Sequence, residues 1–258
     1  MTPTNYFTQG HVFTGSWDDY FILAVLLYMA ALGVLLYLER PKHEPDRHSP
    51  PMAWIRAGLF FGGVVILSWS LGVFKTVVQS PLATSEQTGD IAWIASTVGC
   101  FAVVVWAYVY WWPRGTLTHG RKLYPVPTLI YGFAWGCCAG LLYLSIYAIL
   151  EQFQFPRLVN AVVFVLLLSV YNMNYQLGWW DIHVSPPHNI RATNAGKVLG
   201  AHNPFLLSSL AYLVIYGNVG IYVILCGCAL CASAVALKMP PFWAEDGVKV
   251  STDTALGE

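Results

Sequence analysis

Three of the seven histidines in this 258-residue chain, His183, His188 and His202, fall within one 20-residue stretch. The run reads Trp179-Trp180-Asp181-Ile182-His183-Val184-Ser185-Pro186-Pro187-His188-Asn189, and Asn203 directly follows His202. Imidazole and carboxylate are the side chains that hold transition metals and move protons near neutral pH. Asp181 and His183 lie two apart, so an extended backbone points both to one side, and the prolines that follow disfavour helix there. A turn at Pro186-Pro187 brings His188 back toward His183, while His202 arrives from the start of the last apolar region. The expected metal ligands are therefore Asp181, His183, His188 and His202, with Asp181, His183 and His188 also the expected catalytic residues. Three imidazoles and one carboxylate suit iron, copper or zinc better than magnesium or calcium; haem is the alternative use of the histidines. The competing reading makes them interfacial polar groups that satisfy loop backbone.

Amides supply the second clue. Asn172 and Gln176 stand four apart, on one face of an apolar helix. An amide in lipid is costly unless it meets a partner or a cavity. With Trp180, Asn189 and Asn203 they form the expected cofactor-facing wall, the two asparagines as outer hydrogen bonders. Helix–helix hydrogen bonding would use the same amides. Glu151, Gln152 and Asp90 read as helix-end groups on the opposite face. Gly132, Gly136 and Gly140 recur every four residues, which permits close helix approach. The six cysteines lie in apolar stretches and read as packing residues rather than as a disulfide framework.

The elements that must position these groups are membrane helices. Of all residues 57% are hydrophobic and 10% charged, against about 25% charged in soluble domains. About 20 apolar residues span a bilayer as helix. Candidate spans are 20–38, 57–74, 91–112, 128–150 and 158–180. The region 204–237, at 34 residues, exceeds one span and falls short of two, with Gly217-Asn218 a candidate break. The expectation is an all-α polytopic bundle of about six spans with an extra broken or partial element in the last region. It forms one domain over 1–243, followed by a polar tail, 244–258. Trp17, Trp111, Trp112, Trp179, Trp180 and Trp243 mark span ends as interface anchors. No cleavable leader is expected, since no Lys or Arg precedes the first apolar run. Lys and Arg concentrate in the first, third and fifth loops, which predicts an outside N-terminus and cytoplasmic histidine loops. The net charge of zero gives no field for nucleic acid.

The pairs His43/His48 and His183/His188, each with four residues between, resemble the cytosolic histidine boxes of membrane fatty-acid desaturases and alkyl hydroxylases. This chain departs from them in having no HxxHH box and only seven histidines. Asp181 to His188 is also similar, over fewer than ten residues, to a ligand segment in the C subunit of copper membrane monooxygenases. Both likenesses imply oxidation of an apolar substrate. The leading expectation is a membrane metalloenzyme of oxygenase or hydroxylase type, holding iron or copper and taking electrons from a soluble reductase. The alternatives are a membrane isomerase or cyclase using Asp/His acid–base chemistry, and a non-enzymatic transporter or scaffold subunit in a homo- or hetero-oligomeric complex. The expected partners are the lipid bilayer and an apolar small molecule, with no nucleic acid.

Overall fold

The computed structural model describes residues 13–39, 49–112, 123–178, 196–239 and 241–244. Among them every regular element is helical: α1 (Trp17–Glu39), α2 (Pro50–Ser70), α3 (Val73–Gln79), α4 (Ser85–Gly89), α5 (Ile91–Val104), α6 (Pro125–Glu151), α7 (Arg157–Gly178), α8 (Asn203–Tyr216) and α9 (Val219–Ala236). A π-helical segment, Val105–Trp111, extends α5, and another, Val198–His202, leads into α8. Among the described residues five rods are long and apolar enough to cross a bilayer: Pro50–Ser70, Ile91–Trp111, Pro125–Glu151, Val198–Tyr216 and Val219–Ala236. The 23-residue α1 and the 22-residue α7 are of similar length. The protein is an all-α membrane bundle, as its composition requires. In lipid each backbone N–H and C=O must be satisfied within the segment, and a helix does that.

Local sequence sets the boundaries. Pro50-Pro51 opens α2 and Pro125 opens α6, at positions where a missing N–H goes unnoticed. Thr84 and Gln87 cap α4 reciprocally, each side chain taking the other's backbone N–H. Asp90 caps α5 through Ala92 N at 2.9 Å. The last apolar region does break at Gly217-Asn218, into two helices. Gly217 takes φ +66°, a left-handed conformation that ends α8 at little cost, and Asn218 caps α9 by accepting from Ile221 N at 3.1 Å. Two complete rods fit because the first starts at Val198, upstream of the apolar window, and the turn uses only two residues.

Asn218 also donates to the Leu82 carbonyl at 2.6 Å, tying this turn to the segment between α3 and α4. Asn218→Ala removes a cap and orphans a carbonyl, so it should lower stability by about 1–2 kcal/mol. Thermal unfolding followed by near-UV circular dichroism in detergent checks this; an unchanged midpoint would contradict it.

The centre of the bundle is α6 laid antiparallel on α9. Gly132 faces Cys231 and Ala234, Gly136 faces Cys226 and Gly227, and Gly140 faces Val223. A Cβ at Gly136 would stand 2.3 Å from the Cys226 carbonyl oxygen, so the two backbones touch there. The glycine ladder is a packing face. α2 runs parallel to α6, with Phe60 stacked on Trp135 at 4.4 Å. The α5 rod runs antiparallel to α8, through Ser96–Tyr216 and Thr97–Tyr212 hydroxyl contacts, both 3.0 Å. Ile91, Val98, Val109, Leu158, Leu166 and Ile215 point outward and exposed, as lipid-facing residues should.

This alternation gathers one set of helix ends at a single pole. The C-terminal ends of the α5 rod, α7 and α9 meet the N-terminal ends of α2, α6 and the α8 rod. The Asp181–Asn189 stretch joins two of these ends, α7 and the α8 rod.

Candidate functional site

At that pole lies a cavity of about 60 Å³, its wall including Arg56, Tyr108, Tyr131, Trp135, Asn172 and His202. The space suffices for a few waters or one small polar group. It is far below the ~300–1,000 Å³ that encloses a whole organic ligand.

His202 is the only histidine among those described residues that form the wall, and it is 3% exposed. It is the last residue of the π segment Val198–His202, and Tyr108 lies in the π segment Val105–Trp111. The two segments face each other. The Tyr108 hydroxyl and His202 Nδ1 share a hydrogen bond of 2.5 Å. The Trp111 ring lies against Gly200, where a Cβ would come within 2.5 Å of its Nε1, and that Nε1 donates to the Gly196 carbonyl at 3.3 Å. π segments widen a helix by one residue per turn and are frequent at functional sites. Here two of them meet and deliver the hydrogen-bonded pair.

The second imidazole nitrogen, Nε2, is buried and has no hydrogen-bond partner among the described residues. An unpaired buried polar atom is unfavourable and is rarely kept without a use. When Nδ1 carries the proton and donates to Tyr108, Nε2 presents its lone pair. This matches the pattern in which a metal-binding histidine is oriented by a hydrogen bond from its other nitrogen. Nε2 can equally serve as a proton acceptor. Tyr108→Phe should therefore leave Nδ1 unpaired and release the ring, at about 1–3 kcal/mol of stability. Imidazole ¹⁵N shifts of the labelled protein would report it; unchanged shifts would contradict this role.

Asn172 is 8% exposed and lines the same cavity. Its Nδ2 donates to the Leu168 carbonyl at 2.7 Å, and its Oδ1 lies 3.5 Å from the Tyr143 hydroxyl, so it is partly spent on the bundle itself. Asn203 holds α7 to α8: its side-chain amide is 2.8 Å from the Ser169 hydroxyl. Gln176 belongs to α7, but its side chain lies outside the described residues, as do Trp180, Asp181, His183, His188 and Asn189 altogether. Of the expected set, the structure thus joins His202 and Asn172 in one wall and places Asn203 next to them. Among the described residues no three metal-binding side chains converge.

Arg56 was legible only as a loop charge, yet it is 2% exposed and turned inward. Its guanidinium lies over Trp135, 4.5 Å from the ring centroid, and donates from Nη2 to the Tyr131 hydroxyl at 2.9 Å. Tyr108, Tyr131 and Trp135 were likewise missed. The available signal was an arginine directly flanked by apolar residues, Trp54-Ile55-Arg56-Ala57. An ionisable group buried inside an apolar bundle is a candidate functional group.

No family model, curated protein or solved structure matches the chain. The functional reading rests on the chemistry of this cavity.

Proposed function

We propose that the protein is an integral membrane metalloenzyme of oxygenase or hydroxylase type, acting on a lipid-soluble substrate at the pole that holds the cavity. The carrying observation is His202, a buried imidazole oriented by Tyr108 and presenting an unpartnered Nε2 in the cavity wall. His202 would be one ligand, with Asp181, His183 and His188 from the adjoining stretch as the others. Iron or copper held there supplies oxygen chemistry. The overall conversion takes a C–H bond and O2 to C–OH and water, with two electrons and two protons from a soluble reductase. Tyr108 holds the His202 ring in place, and Asn172 presents an amide to the same space.

Beyond the cavity, toward the other pole, the interior is filled by Tyr143, Leu144, Tyr147, Phe164 and Tyr222, each buried to 3% exposure or less. A site reached from one pole fits an enzyme better than a transport path. The two-rod last region also sharpens the orientation. Eleven of the thirteen Lys and Arg then belong to the cavity pole or the segments joined to it; Lys75 and Arg157 belong to the other. The positive-inside rule makes the cavity pole cytoplasmic, within reach of a soluble reductase. A cysteine introduced at Lys42 should react with an impermeant maleimide only after the cells are permeabilised; reaction in intact cells would reverse the assignment.

A second reading has its own observation. Tyr108 and His202 already form a complete hydrogen-bonded acid–base pair without the Asp181–His188 stretch, which suits metal-free isomerisation or cyclisation. Incubating the reconstituted protein with a lipid extract, a reductant and ¹⁸O2 separates the two. The oxygenase reading expects one ¹⁸O in an apolar product, lost on chelation. Unlabelled, chelator-resistant product formation would sink it in favour of acid–base catalysis.

A further inference from the structure

A serine inside a helix commonly spends its hydroxyl on a carbonyl one turn back. Ser68, Ser145, Ser169 and Ser209 all do so in this bundle, at 3.1, 2.7, 2.6 and 2.7 Å. Ser233 does not. It stands in the last turn of α9, is 6% exposed, and its hydroxyl has no hydrogen-bond partner among the described residues. Its neighbours from α9 in the cavity wall, Leu230, Ala234 and Leu237, are apolar and offer its hydroxyl no side-chain partner. The space open to the hydroxyl is the cavity, whose wall holds Ser233 and His202 together.

Nε2 of His202 is in the same condition, buried and unpartnered among the described residues. Buried polar groups are almost always paired. Two unpaired ones in the wall of a single space of about 60 Å³ point to a polar occupant. A hydroxyl both donates and accepts. It can accept from Ser233 while donating to the Nε2 lone pair, or donate to Ser233 while accepting from an Nε2–H, so it suits either tautomer. A carboxylate only accepts and would face the lone pair in one of them, and an alkyl end satisfies neither atom. The space takes the end of a lipid-soluble molecule and leaves its body outside.

We infer that this cavity binds the hydroxyl end of a lipid-soluble alcohol, with Ser233 as the specificity-determining residue. This deepens the proposed function by naming the substrate class, and it rests on that reading only in taking the occupant as substrate. Where a metal occupies Nε2, the alcohol keeps its bond to Ser233. The carbon that bears the hydroxyl is thereby held beside His202.

The test uses the full-length protein in nanodiscs of phosphatidylcholine, with the unfolding midpoint as readout, since a ligand that binds only the folded state raises it. The probes are dodecanol, dodecanoate and 1-fluorododecane, the last matching dodecanol in length and nearly in size but lacking the O–H. Dodecanol should bind the parent protein at least about fivefold tighter than either of the others, the worth of one ordinary hydrogen bond. Ser233→Ala removes an unpartnered hydroxyl and little volume, so it should keep the parent's midpoint without ligand while dodecanol falls to the level of 1-fluorododecane. Equal binding of dodecanol and 1-fluorododecane by the parent would overturn the inference, and that arm needs no variant. Tighter binding of dodecanoate would identify an anion site and overturn the alcohol assignment. A preference for dodecanol that survives Ser233→Ala would remove Ser233 from the site, and a lowered midpoint in the unliganded variant would mean that the hydroxyl serves the fold. Metal analysis of the same samples separates the two proposals. Alcohol preference in a protein purified without chelator and free of metal would end the metalloenzyme reading alone, whereas stoichiometric metal with no alcohol preference would end this one alone.

Discussion

A Tyr108→Phe/His202→Leu double variant is expected to keep close to the parent's stability while losing the site's chemistry. Each single change leaves one buried partner stranded: the Tyr108 hydroxyl in His202→Leu, or Nδ1 in Tyr108→Phe. A buried polar group left unpaired costs about 1–3 kcal/mol, whereas replacing both partners by apolar groups of similar shape is close to neutral. His202 also brings an unpartnered Nε2 whose removal can only relieve the fold. Chemical or thermal unfolding of all four proteins should thus give a coupling energy of about 1–3 kcal/mol, with the double variant more stable than either single one. Bound metal and turnover should fall to background in His202→Leu and in the double variant alike. A double variant as unstable as the weaker single one would mean that the pair holds the bundle together rather than serving a site. One that keeps metal or activity would remove His202 from the site.

The second large effect falls on the α6–α9 interface. Gly136→Ala adds one methyl where a Cβ would lie 2.3 Å from the Cys226 carbonyl and 2.7 Å from Gly227 Cα. Both obstacles are backbone, so the helices must move apart, carrying with them Tyr131, Trp135 and the α9 part of the cavity wall. Overpacking costs about 1–3 kcal/mol in ordinary cores, and a backbone clash belongs at or above the top of that range. Gly62→Ala in α2, with nothing within 4 Å of the added methyl, is the control. Helix propensity alone predicts that it gains about 0.5–1 kcal/mol. Opposite shifts in melting temperature for these two identical substitutions would verify the packing; equal shifts would contradict it.

The bundle was legible because lipid leaves the chain few choices. Apolar runs of about 20 residues become helices, and the glycine ladder in α6 marks the closest approach. Gly217-Asn218 was legible as a break for the same local reason that it is one: a residue at ease with positive φ, then an amide able to cap. The full length of the first rod in the last region was not. Its opening turn contains Gly200 and His202, which dilute the apolar signal, and it forms as a π segment whose glycine admits Trp111 from another helix.

The site was legible in part. His202 and Asn172 stood out as polar residues bordering or interrupting apolar sequence, and they share one wall. Arg56 did not, because at the edge of an apolar run it reads as a solvated flank. Its inward turn is imposed by Trp135 and Tyr131, more than seventy residues away in sequence. Tyr108 sits three residues before Trp111-Trp112 and reads as one more interface aromatic until His202 is placed against it. Long-range pairings of this kind leave no periodic trace in the chain.

Metal analysis of the protein purified in detergent without added chelator, by mass spectrometry and optical absorption beside His202→Leu and His183→Ala/His188→Ala, decides whether the cavity pole holds a metal. Stoichiometric iron or copper is expected in the parent and its loss in both variants, each still folded by circular dichroism. A parent protein free of metal, folded and equal in spectrum to both variants, would contradict it. The Tyr108–His202 pair would then stand as a metal-free acid–base centre.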